Sequence, residues 1–206
     1  MIYKRMKGTI METIVQAKRV LEIFKEMSQI PRESGNEKGI SDYIVNFAKN
    51  LGLEAHQDEI LNVVIKKAAY PGYESRPSII IQGHIDMVCV KDHASNHDFS
   101  KDPIANIIEG EWMRADHTTL GADNGMGAAM MLAILEDESQ QHGPMQLLFT
   151  TNEETGMDGA FALKEGQVTG DYLINLDTEV EHDFTVSCAG GCHVHVNIPL
   201  LRDNNQ

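Results

Sequence analysis

The sequence predicts an α/β fold, a central sheet flanked by helices on both faces. Three observations carry this prediction. Two amphipathic helical patterns open the chain, short β-branched runs without polar alternation follow, and those runs then alternate with further helical segments.

From Ile14 to Ile30, the apolar residues Ala17, Val20, Leu21, Phe24 and Met27 recur at helical spacing, and Pro31 stops the run. Ser34-Gly35-Asn36 opens a second helix with Ile40, Tyr43, Ile44, Phe47 and Leu51 on one stripe, ended by Gly52. Asn62–Lys66 and Ser78–Gln82 read as strands, and the unbroken apolar centre of the second suits a strand covered on both faces. Residues 91–118, rich in His, Asp and Asn, read as a long surface excursion. Gly121–Gly125 leads into an Ala/Met/Leu-rich helix over Met126–Glu138, expected to be buried. Met145–Thr150 reads as a strand, Gly159–Lys164 as a short helix and Tyr172–Leu176 as a further buried strand. Beyond Glu179, Phe184–Cys188 and His193–Leu200 alternate like antiparallel strands with one face in water.

Composition narrows the partners. Seventeen Lys and Arg against 31 Asp and Glu leave a formal charge of −14 over 206 residues, which argues against nucleic acid and against anionic membranes as partners. Carboxylates held for divalent cations are a better use of that acidity. Three cysteines, Cys89, Cys188 and Cys192, make no disulfide framework and fit a reducing, cytoplasmic setting. Neither a signal peptide nor a membrane-spanning run is read from the sequence.

Metal-type residues crowd the strand ends, where α/β sheets gather ligands. Ser78–Gln82 runs into Gly83-His84-Ile85-Asp86, Met145–Thr150 into Thr151-Asn152-Glu153-Glu154, and Tyr172–Leu176 into Asp177, while Asp123 sits in the glycine-rich turn before a helix. Residues i and i+2 of an extended segment face the same way, so Asp86 can lie beside His84 and fix its ring. The adjacent carboxylates of Glu153 and Glu154 tend to point apart, so one can ligate while the other faces the attacking water. Alone, each feature has a plainer reading: a surface His–Asp pair, a solvated acidic loop, a helix cap at Asp123, a turn residue at Asp177. Their coincidence at one rim points to a dinuclear metal site of the zinc type, with two cations about 3.5–4 Å apart.

A rival cluster, Cys188-Ala-Gly-Gly-Cys192-His193-Val194-His195, has metal-type residues at an unusual spacing and reads as a turn with half-buried thiols. His56, His93, His97, His117, His142 and His182 read as surface residues, His117 being the nearest to the Asp123 turn.

Taken together, QGHIDMVCV (82–90), TTLGADNGMGAA (118–129), TNEETGMDGA (151–160), LDTE (176–179) and CAGGC (188–192) resemble the aminoacyl-histidine dipeptidase family, within the aminoacylase and carboxypeptidase G superfamily of co-catalytic zinc peptidases. The resemblance implies a zinc-peptidase catalytic domain. His84 would ligate one metal with Asp177 beside it, Asp123 would bridge both metals through a turn whose Asp123–Asn124 peptide is cis, and Glu154 would ligate the second. Glu153 would be the general base taking a proton from the water between the metals, and Asp86 would orient His84. The cofactor implied is Zn2+, two per complete site, with Co2+ or Mn2+ as substitutes. The implied substrates are dipeptides with C-terminal histidine, β-alanyl-histidine among them, and the full-length family is expected to be homodimeric.

On this resemblance residues 1–11 form an N-terminal extension, 12–182 the N-terminal part of the catalytic domain, and 183–206 the start of a lid and dimerisation domain. The family's chain is more than twice as long, and its last metal ligand, a histidine, lies in a returning segment that has no counterpart here. Two other readings therefore stay open: a truncated, non-catalytic metal-binding fragment, and one half of a split peptidase. A change of substrate within the superfamily, to tripeptides or acylated amino acids, is a further alternative.

Overall fold

The computed structural model describes residues 16–178, together with 180, 183–187, 189–191 and 194–199. Helix α1, over residues 16–27, and α2, Lys38–Asn50, lie where the two amphipathic patterns place them. Next come β1 (Glu54–Gln57), β2 (Val63–Lys67) and β3 (Ile79–His84), then a hairpin of β4 (Asn106–Glu109) and β5 (Trp112–Ala115). Helix α3 (Ala122–Glu136) precedes β6 (Met145–Thr150), the short helices α4 (Glu153–Gly156) and α5 (Asp158–Phe161), and β7 (Tyr172–Asn175).

The five strands of the main sheet lie in the order β1-β2-β6-β3-β7. β3, β6 and β7 run parallel, whereas β2 is antiparallel to both β1 and β6. His84 pairs with Thr150 and Gln82 with Asn175, so the carboxyl ends of β3, β6 and β7 share one rim. The antiparallel β2 brings its amino end, Val63 opposite Phe149, to that same rim.

Period-two alternation divides the sheet into two faces. Val63, Ile65, Ile81, Leu147 and Phe149 join Ile23, Phe24 and Met27 of α1, Ile40 and Ile44 of α2, and Met131, Leu132 and Leu135 of α3 in the principal core. Their neighbours Val64, Ile80 and Leu148 face the other way and pack with Leu163 and Val168, which follow α5. Each fully buried Leu, Ile, Phe or Met contributes roughly 1.5–3 kcal/mol by leaving water, so the larger cluster decides where the helices dock. Helix α3 is apolar on most sides and correspondingly buried, as its composition predicts. Its last turn is closed by Lys67, whose Nζ donates to the carbonyls of Ile134, Leu135 and Asp137 at 2.8, 3.1 and 3.0 Å. Arg19 ties α1 to the same end through Glu136, at 2.6 and 2.8 Å.

Three expectations need correction. β7 is exposed, with Tyr172, Leu173 and Ile174 retaining 63, 59 and 46% of their accessible surface. Among the described residues it pairs only with β3, at the edge of the sheet, and no element covers it. β1 was not anticipated, nor was the β4–β5 hairpin inside the 91–118 excursion, which turns at Gly110 with φ +63°. As read, α2 follows Ser34-Gly35-Asn36; Glu37 precedes it without a side-chain cap bond, and the Ser34 hydroxyl donates to Asp86. The described residues of the two expected late strands, 184–187 and 194–199, carry no strand, and Phe184 and Val186 are almost fully exposed. Cys188, Cys192, His193 and Leu200 lie outside the described residues, as do residues 1–15 and His182.

Candidate metal centre

β3 ends at His84, which is 1% exposed, and Ile85 continues the parallel pairing by donating its N–H to Thr150 O at 2.9 Å. The side chains of His84 and Asp86 fall on one side, as the i, i+2 spacing requires. His84 Nδ1 lies 3.3 Å from Asp86 Oδ1, an ion-pair contact rather than a well-aligned hydrogen bond. The other ring nitrogen faces three carboxylates: Nε2 is 3.1 Å from Asp123 Oδ1, 3.9 Å from Glu153 Oε2 and 3.9 Å from Asp177 Oδ1.

Asp86 is fully buried and works in two directions. Besides facing His84, it accepts hydrogen bonds from Ser34 Oγ at 2.7 Å and from the backbone N–H groups of Glu153 and Glu154 at 3.1 and 3.2 Å. One carboxylate thereby fixes both the imidazole and the segment that carries the two glutamates.

That segment is braced from behind. Asn152 stands in the left-handed region at φ +56°, its N–H donating to the buried Glu37 carboxylate at 3.1 Å. Asn62, at the amino end of β2, accepts from Thr151 N at 3.1 Å and donates to Gly159 O at 2.9 Å. A Cβ at Gly159 would stand 2.5 Å from Asn62 Oδ1, so the close approach requires glycine there.

The Asp123 turn is held differently. Gly121, at φ +70°, starts α3, while Asp123 and Asn124 depart from helical angles and are joined by a cis peptide. Asn124 donates to Leu176 O at 3.0 Å and to Asp177 Oδ1 at 3.3 Å, linking this turn to the end of β7. Gly83 leaves room for it: a Cβ there would lie 2.5 Å from Asn124 Oδ1.

All six residues singled out from the sequence, His84, Asp86, Asp123, Glu153, Glu154 and Asp177, thus meet at one rim. Two sets of donor atoms lie within 4.8 Å of one another, His84 with Asp123 and Glu154, and His84 with Glu153 and Asp177. The two adjacent glutamates enter different sets, as side chains pointing apart should.

The electrostatics follow from crowding. Burial pulls the His84 imidazolium down, but Asp86, with the charges of Asp177 and Glu153, outweighs it and lifts the pKa to about 9. Burial would raise Asp86, yet His84, the Ser34 hydroxyl and the Glu153 N–H hold it at about 2. Glu153 is raised by burial, against the pull of His84 and with the repulsion of Asp177, Asp86 and Asp123. Glu154 is raised by burial and by Asp123, and Asp177 by burial, with Asp123 adding to it and His84 opposing. Carboxylates that resist ionising together around one imidazole fit a divalent cation, whose charge relieves the repulsion, and this donor set suits zinc, cobalt or manganese.

His117 does not join the centre. It is exposed and pairs with Asp92 at 2.7 Å, while His56 and His93 are also exposed and His97 and His142 half-buried. Sequence reasoning missed Arg32, Ser34, Asn62 and Asn124. The available signal was an arginine and a serine immediately after Pro31, between two apolar helices.

Residues 80–199 match the family described as Peptidase family M20/M25/M40. The chain is 44% identical over 182 residues to the cytosol non-specific dipeptidase of Escherichia coli (strain K12), a match covering 88% of this chain and 38% of that protein. Among solved structures, the aminoacylhistidine dipeptidase from Vibrio alginolyticus superposes with a TM-score of 0.77 at 44% identity, over 79% of this chain and 33% of that one. A Staphylococcus aureus tripeptidase superposes with a TM-score of 0.67 at 27% identity, over 79% of this chain and 44% of that one. The chain therefore spans less than half the length of each of these three relatives.

Proposed function

The chain belongs to Peptidase family M20/M25/M40, and from that premise we propose that it carries the metal-binding and proton-transfer residues of a dipeptidase site that prefers Xaa-His substrates. One observation carries the reading. Asp123, Glu153 and Asp177 converge on Nε2 of the buried His84, Glu154 joins them through Asp123, and Asp86 holds the ring from behind. His84 and Asp177 would hold one cation, Glu154 the other, and Asp123 both. When bound, such cations polarise a peptide carbonyl and acidify water.

The chain's own residues would do the rest. Glu153, with its carboxyl raised by burial and by its neighbours, is suited to accept a proton from the attacking water and return it to the leaving amine. Asp86 does not reach the substrate; it orients His84 and, through the N–H groups of Glu153 and Glu154, sets where the base stands. The names of the Escherichia coli and Vibrio relatives support dipeptide hydrolysis and, for the second, histidine at the C-terminal position. A cytosolic setting is proposed on the same footing, and among the described residues no helix is long and apolar enough to cross a membrane.

The test is metal binding followed by hydrolysis of β-alanyl-histidine, other Xaa-His dipeptides, dipeptides without histidine, and N-acyl amino acids. Glu153→Ala is expected to bind metal like the wild type and to lose turnover by roughly 10²–10⁴-fold. Unchanged turnover would refute the assignment of the base. A second reading, a metal-binding piece that needs another polypeptide for catalysis, is favoured by the apolar edge of β7, which no element among the described residues covers. It predicts metal uptake without hydrolysis.

A further inference from the structure

Arg32 is 2% exposed and sits between α1 and α2. Its Nη1 donates to Ile85 O and Asp86 O, both at 3.1 Å, and its Nη2 donates to Gly121 O. Among the described residues its side-chain hydrogen bonds go to these carbonyl oxygens alone. Its own backbone carbonyl accepts from Met87 N at 3.1 Å, and Glu33 bridges Met87 in parallel, so the same short segment grips the end of β3 through both main chain and side chain. Ser34, two residues on, holds the Asp86 carboxylate.

We infer that Arg32 is a positioning residue for the proposed metal centre: its guanidinium locks the strand end bearing His84 and Asp86 against the turn bearing Asp123. The inference rests on the metal-site reading above. Three features carry it. The two segments joined are those whose donors, His84 Nε2 and Asp123 Oδ1, must meet at 3.1 Å. The space is reserved, because a Cβ at Gly121 or Gly125 would stand 2.5 Å from Nη2. A planar fork that is always charged can serve three carbonyls at once, which a lysine ammonium on a flexible stem does not reproduce. Burying such a charge without a carboxylate in contact is expensive, and the compensation comes from the acidic centre beside it. Burial pulls the guanidinium down to about 10, with Asp86, Cys89 and Asp123 opposing, so it stays protonated at neutral pH. Having no free lone pair, it cannot itself ligate a cation.

The experiment is a Co2+ titration of the chelator-stripped chain, followed by visible absorption, for the wild type, Arg32→Gln and Arg32→Lys, with thermal unfolding of each metal-free protein alongside. Arg32→Gln is expected to weaken cobalt binding by roughly 10–100-fold, the range for residues that orient ligands, and to alter the absorption band. Arg32→Lys should recover part of the affinity, because it restores charge without the fork. A folded variant that binds cobalt within about twofold of the wild type, with an unchanged band and only a lowered melting temperature, would reduce Arg32 to a packing role. If Arg32→Gln does not fold, Arg32→Lys decides between the same two outcomes. A wild type that binds no cobalt would overturn the metal-site reading and this inference with it, a result distinct from a binding wild type with indifferent variants.

Discussion

Replacing Asp86 by asparagine keeps shape and volume but removes the charge and half the acceptors. In the native site Oδ1 faces His84 Nδ1 and accepts from Glu153 N, while Oδ2 accepts from Ser34 Oγ and Glu154 N. The amide must turn its NH2 toward one of these pairs. Turned toward Ser34 it loses least, because the hydroxyl can rotate and accept, and only the Glu154 N–H is left facing a donor. That orphaned group costs about 1–3 kcal/mol, and the remaining bonds lose the strength that an ionised acceptor confers. The expected loss of stability is therefore about 2–4 kcal/mol in the metal-free chain at neutral pH. Urea unfolding followed by far-ultraviolet circular dichroism, with chelator present throughout, measures it. A loss below about 1 kcal/mol would show that Asp86 does not hold the Glu153–Glu154 segment, and the two-sided role argued for it would fall.

Two further outcomes follow from the packing around α3. Lys67→Met should remove three donors from the carbonyls of Ile134, Leu135 and Asp137 and destabilise the chain by about 1–3 kcal/mol, read by thermal melting; an unchanged melting temperature would contradict the capping role. Asp137 is held at about 2 by the Ser139 and Gln140 side chains, with burial opposing. A carboxyl depressed on folding adds stability that is present above its unfolded pKa, near 3.9, and lost as pH falls toward 2; for this half-buried group at the surface, screened by solvent, that is ~0.5 kcal/mol or less. The stability gap between wild type and Asp137→Asn should narrow steadily as pH falls from 5 toward 2 in urea titrations, and a gap that widens on acidification would refute the sign.

Much of the fold was legible because period and breaker residues agree. Met145–Thr150 has the same bounds in sequence and structure, and Pro31 and Gly52 lie just beyond the ends of the first two helices. β1 was not, since Glu54-Ala55-His56-Gln57 holds one apolar residue and owes its strand to pairing with β2. The β4–β5 hairpin was hidden because its strands are short and its largest apolar side chains, Ile108 and Trp112, stay exposed, while only Ala115 is buried and Met113 partly so. Tyr172-Leu173-Ile174 was misread for the opposite reason: apolar residues at a sheet edge look from sequence like those at its centre. The six candidate site residues were legible because each stands at or after a strand end or opens a helix. Their braces could not, because they act across the chain: Arg32 reaches Ile85, 53 positions away, and Asn62 reaches Gly159, 97 positions away.

The sheet order explains why those braces are possible at all. Three parallel strands, β6, β3 and β7, bring acidic loops to one rim, and parallel pairing alone would leave the amino ends of strands at the opposite rim. The antiparallel β2 breaks that rule beside β6 and delivers Asn62, the residue before its first, to the rim itself. Asn62 then pins Thr151 and Gly159, on either side of the Glu153–Glu154 turn, without entering the centre. On the other flank the α1–α2 connection brings Arg32 and Ser34 to the end of β3. A crowd of carboxylates that repel one another would otherwise relax apart, and Asn62, Asn124, Ser34 and Arg32 hold the segments that carry them by hydrogen bonds. The rim is thus held from outside by side chains that bond to the surrounding backbone, Arg32 through N–H groups alone and Asn62 through an oxygen that already accepts from Thr151 N, while the histidine and carboxylate donors face one another.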